Sequence, residues 1–409
     1  NRKSGGQPGH KGSKLNRSED IDQMVVHPVS TCGCCGKDLK DVAVVDHVKS
    51  QVFDLPELAL QVIEHQAELK RCSCGAISQG TFPINVRGEV QYGPRVRGLA
   101  SYLQNYQLLP YQRSAELLRD VFEVSISEGT LYNISEQAYN NLADFDSNLK
   151  QYLLEQDLLH SDETGLKVQD KTHWLHTAST SHYTHYQVHQ NRGKKAMDEI
   201  GILPHFRGTM VHDCLKSYFK YTQAEHSICL AHILRELQAQ IEQKQTWAGQ
   251  MAKLVLAMKK SKDRAIDQGK CQMSKATIAD YQNQYRQIIE RGKRANPLPP
   301  KDHNNPRKIK RTKAQNLLRR LEEYEVEVFR FYTNFEVPFD NNLAERDLRM
   351  AKVKLKISGC FRTPQGADYF ARLRSYISSA KKQGVNILEA LKNIFDSMVD
   401  NPLFKFEAA

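Results

Sequence analysis

Hydrophobic positions change their period along this chain, and each change marks a different kind of element. Residues 92–109 carry apolar side chains at helical spacing until Pro110 interrupts them, and 114–122 repeat the pattern. A turn through Val124-Ser125-Ile126 then leads to a helix that starts at Ser127-Glu128-Gly129-Thr130. From Leu158 the period shortens. Leu158-Leu159-His160-Ser161-Asp162 reads as an apolar strand that ends in a carboxylate and a turn, and Thr209-Met210-Val211-His212-Asp213 reads as another. Between them, 172–178 and 183–189 are rich in Thr, Tyr, Val and Trp, with a hairpin connection at Ser179-Thr180-Ser181. A short helix is expected at 194–200, and a long helical stretch begins with 226–240. Residues 241–334 are charged and helix-prone, broken at Asn296-Pro297-Leu298-Pro299-Pro300, and Asp340-Asn341-Asn342 opens a helix carrying Glu345.

Composition narrows the class. With 40% hydrophobic and 26% charged residues over 409 positions, the chain can build a sizeable core in two or three domains. Lys and Arg outnumber Asp and Glu by 58 to 47, an excess that favours a polyanionic partner. No apolar run is long enough to span a membrane, and the opening residues do not read as a secretory leader. The first residue is Asn1 rather than Met, which leaves room for an upstream segment. Nine cysteines, odd in number and partly clustered, point to thiols or metal ligands in a reducing compartment rather than to a disulfide framework.

Asp162, Asp213 and Glu345 are the candidate catalytic residues. Phosphodiester cleavage needs an activated oxygen nucleophile and stabilised charge on the transition state and leaving oxygen. Two magnesium or manganese ions held by carboxylates supply both. Strands carrying Asp162 and Asp213 as neighbours, with a helix delivering Glu345, would gather such a set. Asn342 precedes Glu345 by three positions and Arg349 follows by four, so the three share a helix face. Against this, Asp before Gly is common in turns, Glu345–Arg349 is also an ordinary surface pair, and Glu163 and Asp347 are alternative acids.

Cys32 and Cys35 form a Cys-x-x-Cys knuckle, and Cys72 and Cys74 a second pair with one intervening residue. Two such turn-borne pairs can hold a structural zinc, with Cys34 or His65 as substitutes for one ligand. Cys229 and His232 sit at helical spacing. A second metal site and a core contact are both open, and the core contact is favoured, with His232 close to substrate.

The order strand-Asp, strand-Asp, helix-Glu, with Asp-Asn-Asn-x-x-Glu-Arg at the third acid, resembles the DDE transposases of the insertion-sequence-66 family, in their TnpC-type subunit. Gly-Gly-Gln-Pro-Gly-His-Lys-Gly at 5–12, His-Ser-Asp-Glu-Thr at 160–164, Cys-x-x-His-x-x-Arg-Glu-Leu at 229–237 and Ser-Gly-Cys-Phe-Arg at 358–362 extend the likeness. The resemblance implies an RNase H-like mixed sheet with Asp162 on its first strand and Asp213 on its fourth, an inserted helical segment, and an N-terminal zinc module. On that reading the chain divides into a basic flexible arm (1–20), a zinc-binding module (21–84) and a helical DNA-binding region (85–150). The catalytic domain (151–240 and 335–409) then encloses a helical insertion (241–334).

The activity implied is hydrolysis of phosphodiesters at element ends and strand transfer of the 3′-hydroxyl into target DNA. A homo-oligomer on DNA, accessory proteins from the same element and a cytoplasmic, nucleoid-associated bacterial setting go with it. The alternatives are an RNase H-like nuclease or resolvase without strand transfer, and a catalytically decayed zinc-containing DNA-binding protein. For DNA contacts, the helices at 114–122 and 127–137 resemble a helix-turn-helix. Ser127, Thr130, Tyr132 and Asn133 would face the groove, and Arg113 and Arg119 the phosphates. Arg307, Lys308, Lys310 and Arg311 form the densest basic run, and Arg349 and Lys356 are further phosphate contacts. Lys352, Lys354 and Lys356 alternate, and are expected just after the Glu345 helix, along the same groove.

Overall fold

The computed structural model describes residues 15–56, 58–298 and 311–396. Much of the basic arm, and Arg307, Lys308 and Lys310, lie outside the described residues. Contacts divide the chain into two compact units, one ending at Ala59 and the other beginning at Leu60, rather than after residue 84 as the domain reading expects. Among the described residues of 21–84, few apolar side chains are buried. In the first unit Val44, Val45, Val48 and Val52 are all largely exposed. That unit holds a tight turn in which the Cys32 amide donates to Lys37 and the Gly36 amide to Cys32, and Ser18 and Gln51 exchange two hydrogen bonds across it.

The second unit opens with a small hairpin, β1 (Leu69–Arg71) and β2 (Ile77–Gln79). Helices follow: α1 (Pro94–Ser101), α2 (Tyr111–Phe122), α3 (Glu128–Asn141) and α4 (Ala143–Leu154). The single helix expected over 92–109 is shorter. α1 passes into a π-helical turn at Tyr102–Tyr106, and Leu108 adopts a left-handed backbone before Pro110.

The sheet that follows is five-stranded and mixed, in agreement with the expected fold class. Its strands are β3 (Leu158–Val168), β4 (Lys171–Ser179), β5 (Thr184–His189), β6 (Thr209–His212) and β7 (Glu225–Ile228), in the order β5-β4-β3-β6-β7. β3, β4 and β5 pair antiparallel, while β6 and β7 run parallel to β3. Helix α5 (Lys194–Ile200) links β5 to β6.

Two local readings are corrected. Asp162 does not end its strand: β3 continues through Gly165 to Val168, paired residue by residue with β4. Gly165 faces the Trp174 ring across the β3–β4 pair. The start of the expected helix at 226–240 is instead strand β7, which is too short to declare a period of its own. The helix proper is α6 (Leu230–Glu242).

Between α6 and the Glu345 helix come α7 (Thr246–Asp267), α8 (Lys275–Ala295), α9 (Lys313–Glu323) and α10 (Glu325–Thr333). They share a buried cluster with α6, β6 and β7 that includes Trp247, Tyr285, Leu321 and Phe331. The chain then returns to the sheet as α11 (Asn342–Ser358), α12 (Pro364–Lys382) and α13 (Ile387–Asn393). A second cluster joins α1–α4 to α12, α13 and the sheet, so the helical region at 94–154 has no core separate from the sheet's.

One glycine sets the entry of β6. A Cβ on Gly208 would lie 2.5 Å from the Asp157 carbonyl oxygen and 2.6 Å from that of Gln156. Gly208→Ala is expected to destabilise the fold by about 1–3 kcal/mol, because rigid backbone must shift to admit the methyl group. Urea unfolding of the variant measures it, and an unchanged midpoint would show that the strand entry gives way freely.

Candidate active site

Adjacent strands bring in the two aspartates. Parallel pairing of Leu158 with Thr209, Leu159 with Met210 and His160 with Val211 leaves Asp162 two residues past the last position of β3 paired with β6 and Asp213 directly after the end of β6, and the charge of Asp213 is felt at Asp162. Asp162 Oδ1 accepts the Glu163 amide at 2.8 Å, and Asp213 Oδ1 accepts the Leu215 amide at 2.7 Å.

Helix α11 carries the third acid. Its buried stripe, Ala344, Leu348 and Ala351, follows helical spacing and sets the rotation of the helix, with Leu348 and Ala351 packed among Leu166, Val168 and Leu175 of β3 and β4. Glu345 is left at the edge of that stripe, and Asn342 and Arg349 are exposed beyond it. Both ends of α11 are tied to β3. Before the helix, buried Asn341 donates its side-chain amide to the Ser161 carbonyl and pairs through Oδ1 with His160 Nδ1, both at 2.8 Å. After it, the Phe361 amide donates to Lys167, and Phe361 in turn accepts from Gln169.

Burial pushes the Asp162 carboxyl up from 3.8 to about 7, with the charges of Glu163, Asp213 and Glu345 adding to the effect. The structure therefore couples Asp162 electrostatically to both other candidates. Carboxylates massed so that one resists ionisation are suited to hold a hard divalent cation, which relieves the repulsion. The three are oxygen donors of the kind magnesium takes, and in this structure they stand further apart than ligand atoms on one ion, since among the described residues only Cys229, His232 and Glu345 have ligand atoms within 4.8 Å of one another.

Glu163 and Asp347 are otherwise engaged. Glu163 accepts from Arg192 Nε at 2.8 Å and from the Tyr218 hydroxyl. Asp347 accepts from Ser179 at 2.7 Å, from Lys382 at 2.8 Å and from Thr184 at 3.0 Å, which fixes α11 and α12 on the sheet.

The Asp162 shift has a sign that solution work can check. Without magnesium, the folded protein keeps a proton that the unfolded chain releases between pH 3.8 and about 7. Stability contributed here is therefore lost as pH rises through that window. Asp162→Asn should flatten the slope and raise Tm near neutral pH by about 2–4 °C for each kcal/mol recovered. Thermal scans from pH 5 to 8, with and without magnesium, test this. An identical pH profile for wild type and variant would refute it.

The other candidates are distributed as follows. Ser127 caps α3 by accepting the Thr130 amide at 3.1 Å, and the Thr130 hydroxyl bonds to the same oxygen atom. Asn133 and Arg113 are exposed, and Arg119 pairs with Asp120. Tyr132 is packed against Tyr111 and Tyr369, so the expectation that it faces a DNA groove is not met. Arg311 and Lys356 are exposed. Lys352, Lys354 and Lys356 lie within α11 rather than after it. Helical geometry sets Lys354 apart from the other two, and burial lowers its amine to about 8.

Cys32 and Cys72 sit on tight turns. The Cys35 and Cys34 amides lower the Cys32 thiol from its ordinary range, and the Cys74 amide and thiol lower that of Cys72. Such turns favour thiolates, the form that binds zinc.

Comparison with protein families matches residues 89–369 to the transposase IS66 family and residues 30–75 to the zinc-finger binding domain of transposase IS66. The first match alone covers over half of the chain. The chain belongs to the transposase IS66 family. Its zinc-finger domain spans Cys32, Cys35, Cys72 and Cys74, and its transposase domain spans Asp162, Asp213 and Glu345. Comparison with curated proteins gives no match. Among the described residues, no helix is long and apolar enough to cross a membrane.

One residue that supports the site had no place among the sequence candidates. Asn342 was the singled-out asparagine, but Asn341 makes the buried contacts to β3. It stands at the N-cap position of α11 but makes no side-chain capping bond, because its side chain is turned to β3.

Proposed function

We propose that this transposase cuts phosphodiesters at the ends of its element and joins the freed 3′-hydroxyl to target DNA, on an RNase H-like catalytic domain. The observation that carries this reading is the coupling of buried Asp162 to two other acids, Asp213 from the end of the neighbouring strand and Glu345 from the helix packed on the sheet. Asp162, Asp213 and Glu345 would hold two magnesium or manganese ions, which supply nucleophile activation and neutralise charge on the pentavalent phosphorus. The chain's own residues do the rest. Adjacent strands carry the two aspartates, Asn341 and the Phe361 clamp hold Glu345 in position, and exposed Arg349 and Lys356 steer a DNA backbone toward them.

Cys32, Cys35, Cys72 and Cys74 are the proposed thiolates of the structural zinc. Four protein ligands leave that ion no open position, so its role is to order a segment whose apolar side chains stay exposed. Ser127 and Asn133 on α3, with Arg113, Arg119 and Arg311, are the proposed DNA contacts. A homo-oligomer that pairs two element ends, accessory proteins of the same element and a bacterial, nucleoid-associated setting belong to the same reading.

Incubation of the protein with pre-cut element ends, a circular target and magnesium tests the reading. Joined products are expected. Cleavage of uncut ends with no joining would favour a nuclease or resolvase instead.

A further inference from the structure

A cluster of softer ligands borders the proposed magnesium centre. Cys229 is the N-cap of α6, and His232 lies a turn further on. Cys229 Sγ is 3.9 Å and His232 Nδ1 is 3.6 Å from Glu345 Oε1, and the three ligand atoms all lie within 4.8 Å of one another. Ligands around a tetrahedral zinc, at bond lengths of about 2.0–2.3 Å, stand about 3.3–3.6 Å apart. Shifts of a few tenths of an ångström would therefore bring the sulfur and nitrogen to the required distance from the carboxylate.

The surroundings suit a bound cation. Cys229 is fully buried, its sulfur accepts the Asn341 amide at 3.2 Å, and the amides of His232 and Ala231 also point at it. His232 Nδ1 is itself buried and has no hydrogen-bond partner. Arg235, whose Nη2 lies 3.5 Å from the same Glu345 oxygen, is mostly exposed and can turn toward solvent. A thiolate, an imidazole and one carboxylate make a donor set for zinc-type ions, whereas magnesium selects oxygen alone.

We propose that Cys229, His232 and Glu345 form a site for a borderline-soft divalent ion of the zinc class, and that filling it withdraws Glu345 from the magnesium centre and halts DNA cleavage. Binding releases the Cys229 thiol proton to solvent and leaves the fourth position to water, with no change of oxidation state. The inhibitory half rests on the catalytic reading of Glu345, but the binding half does not.

Zinc titration of the full chain against a chromophoric chelator tests the site. Wild type is expected to take a second zinc beyond that of the zinc finger, with affinity lowered about 100-fold or more in His232→Ala and Glu345→Gln. Half-exposed His232 keeps the test independent of any folding defect in Cys229→Ser. Equal second-site affinity in wild type and both variants, or no second zinc in wild type, overturns the proposal. Zinc added to the magnesium-supported reaction should slow wild-type nicking about tenfold or more, and undiminished nicking overturns the inhibitory half. The two readings fail separately. Glu345→Gln that loses the second zinc yet still nicks overturns the catalytic role alone, and Glu345→Gln that stops nicking yet keeps the second zinc overturns the site alone.

Discussion

Asp162→Asn, Asp213→Asn and Glu345→Gln should each lower magnesium-dependent nicking of element-end DNA by about 10³-fold or more. Each amide keeps the shape of its carboxylate and removes the charge that holds the cation, so the losses reflect metal binding rather than packing. The three effects should also be far from additive, since residues that act as one centre fail together. Asp162→Asn is the most telling, because burial and neighbouring charge already strain that carboxylate and its neutralisation should stabilise the metal-free fold while abolishing cutting. Activity lost with stability gained is hard to explain by misfolding. A plasmid-nicking assay beside thermal scans decides the case, and magnesium-dependent nicking that survives all three changes would leave a decayed DNA-binding protein as the better account.

Asn341→Ala is expected to cost about 2–4 kcal/mol of stability and about 100-fold in cutting rate, although Asn341 bears no charge. Truncation strips partners from the Ser161 carbonyl and from His160 Nδ1, both on the strand that carries Asp162. Burial lowers the His160 imidazole's readiness to protonate, so losing the Asn341 partner does not convert it into a solvated cation. The start of α11 would then loosen against the sheet, and Glu345, one turn in, would move with it. Urea unfolding and nicking kinetics on the same variant measure both effects. Wild-type stability with reduced cutting would confine the residue's role to alignment, and wild-type values for both would exclude it from the site's support.

Much of this architecture is legible in the residues because the sheet's long strands declare themselves. Thr, Tyr, Val and Trp crowd β4 and β5, and the turn between β3 and β4 has two residues with positive φ, Gln169 and Asp170, closing a tight hairpin. β7 escaped because four residues, Glu225 to Ile228, carry too little pattern to separate from the helix that follows. The end of β3 was misplaced because Asp162-Glu163-Thr164-Gly165 has the composition of a turn, and only pairing with β4 makes it a strand. Candidate acids could be nominated by their local settings, but their separation in space depends on register and on the rotation of α11, neither of which is local. The first asparagine of Asp340-Asn341-Asn342 differs from the second by one position and about 100° of helix rotation, and burial distinguishes them.

The double anchoring of α11 has a consequence for how this protein tolerates change. Because β3 grips the helix through Asn341 at one end and Phe361 at the other, the long helical excursion before it need not measure out where Glu345 lands. Changes in that excursion that keep its packing on α6, β6 and β7 would therefore leave the acid in place. A single residue added between Asn341 and Glu345 is a different matter, since it would turn the acid by about 100° relative to the anchored start of the helix.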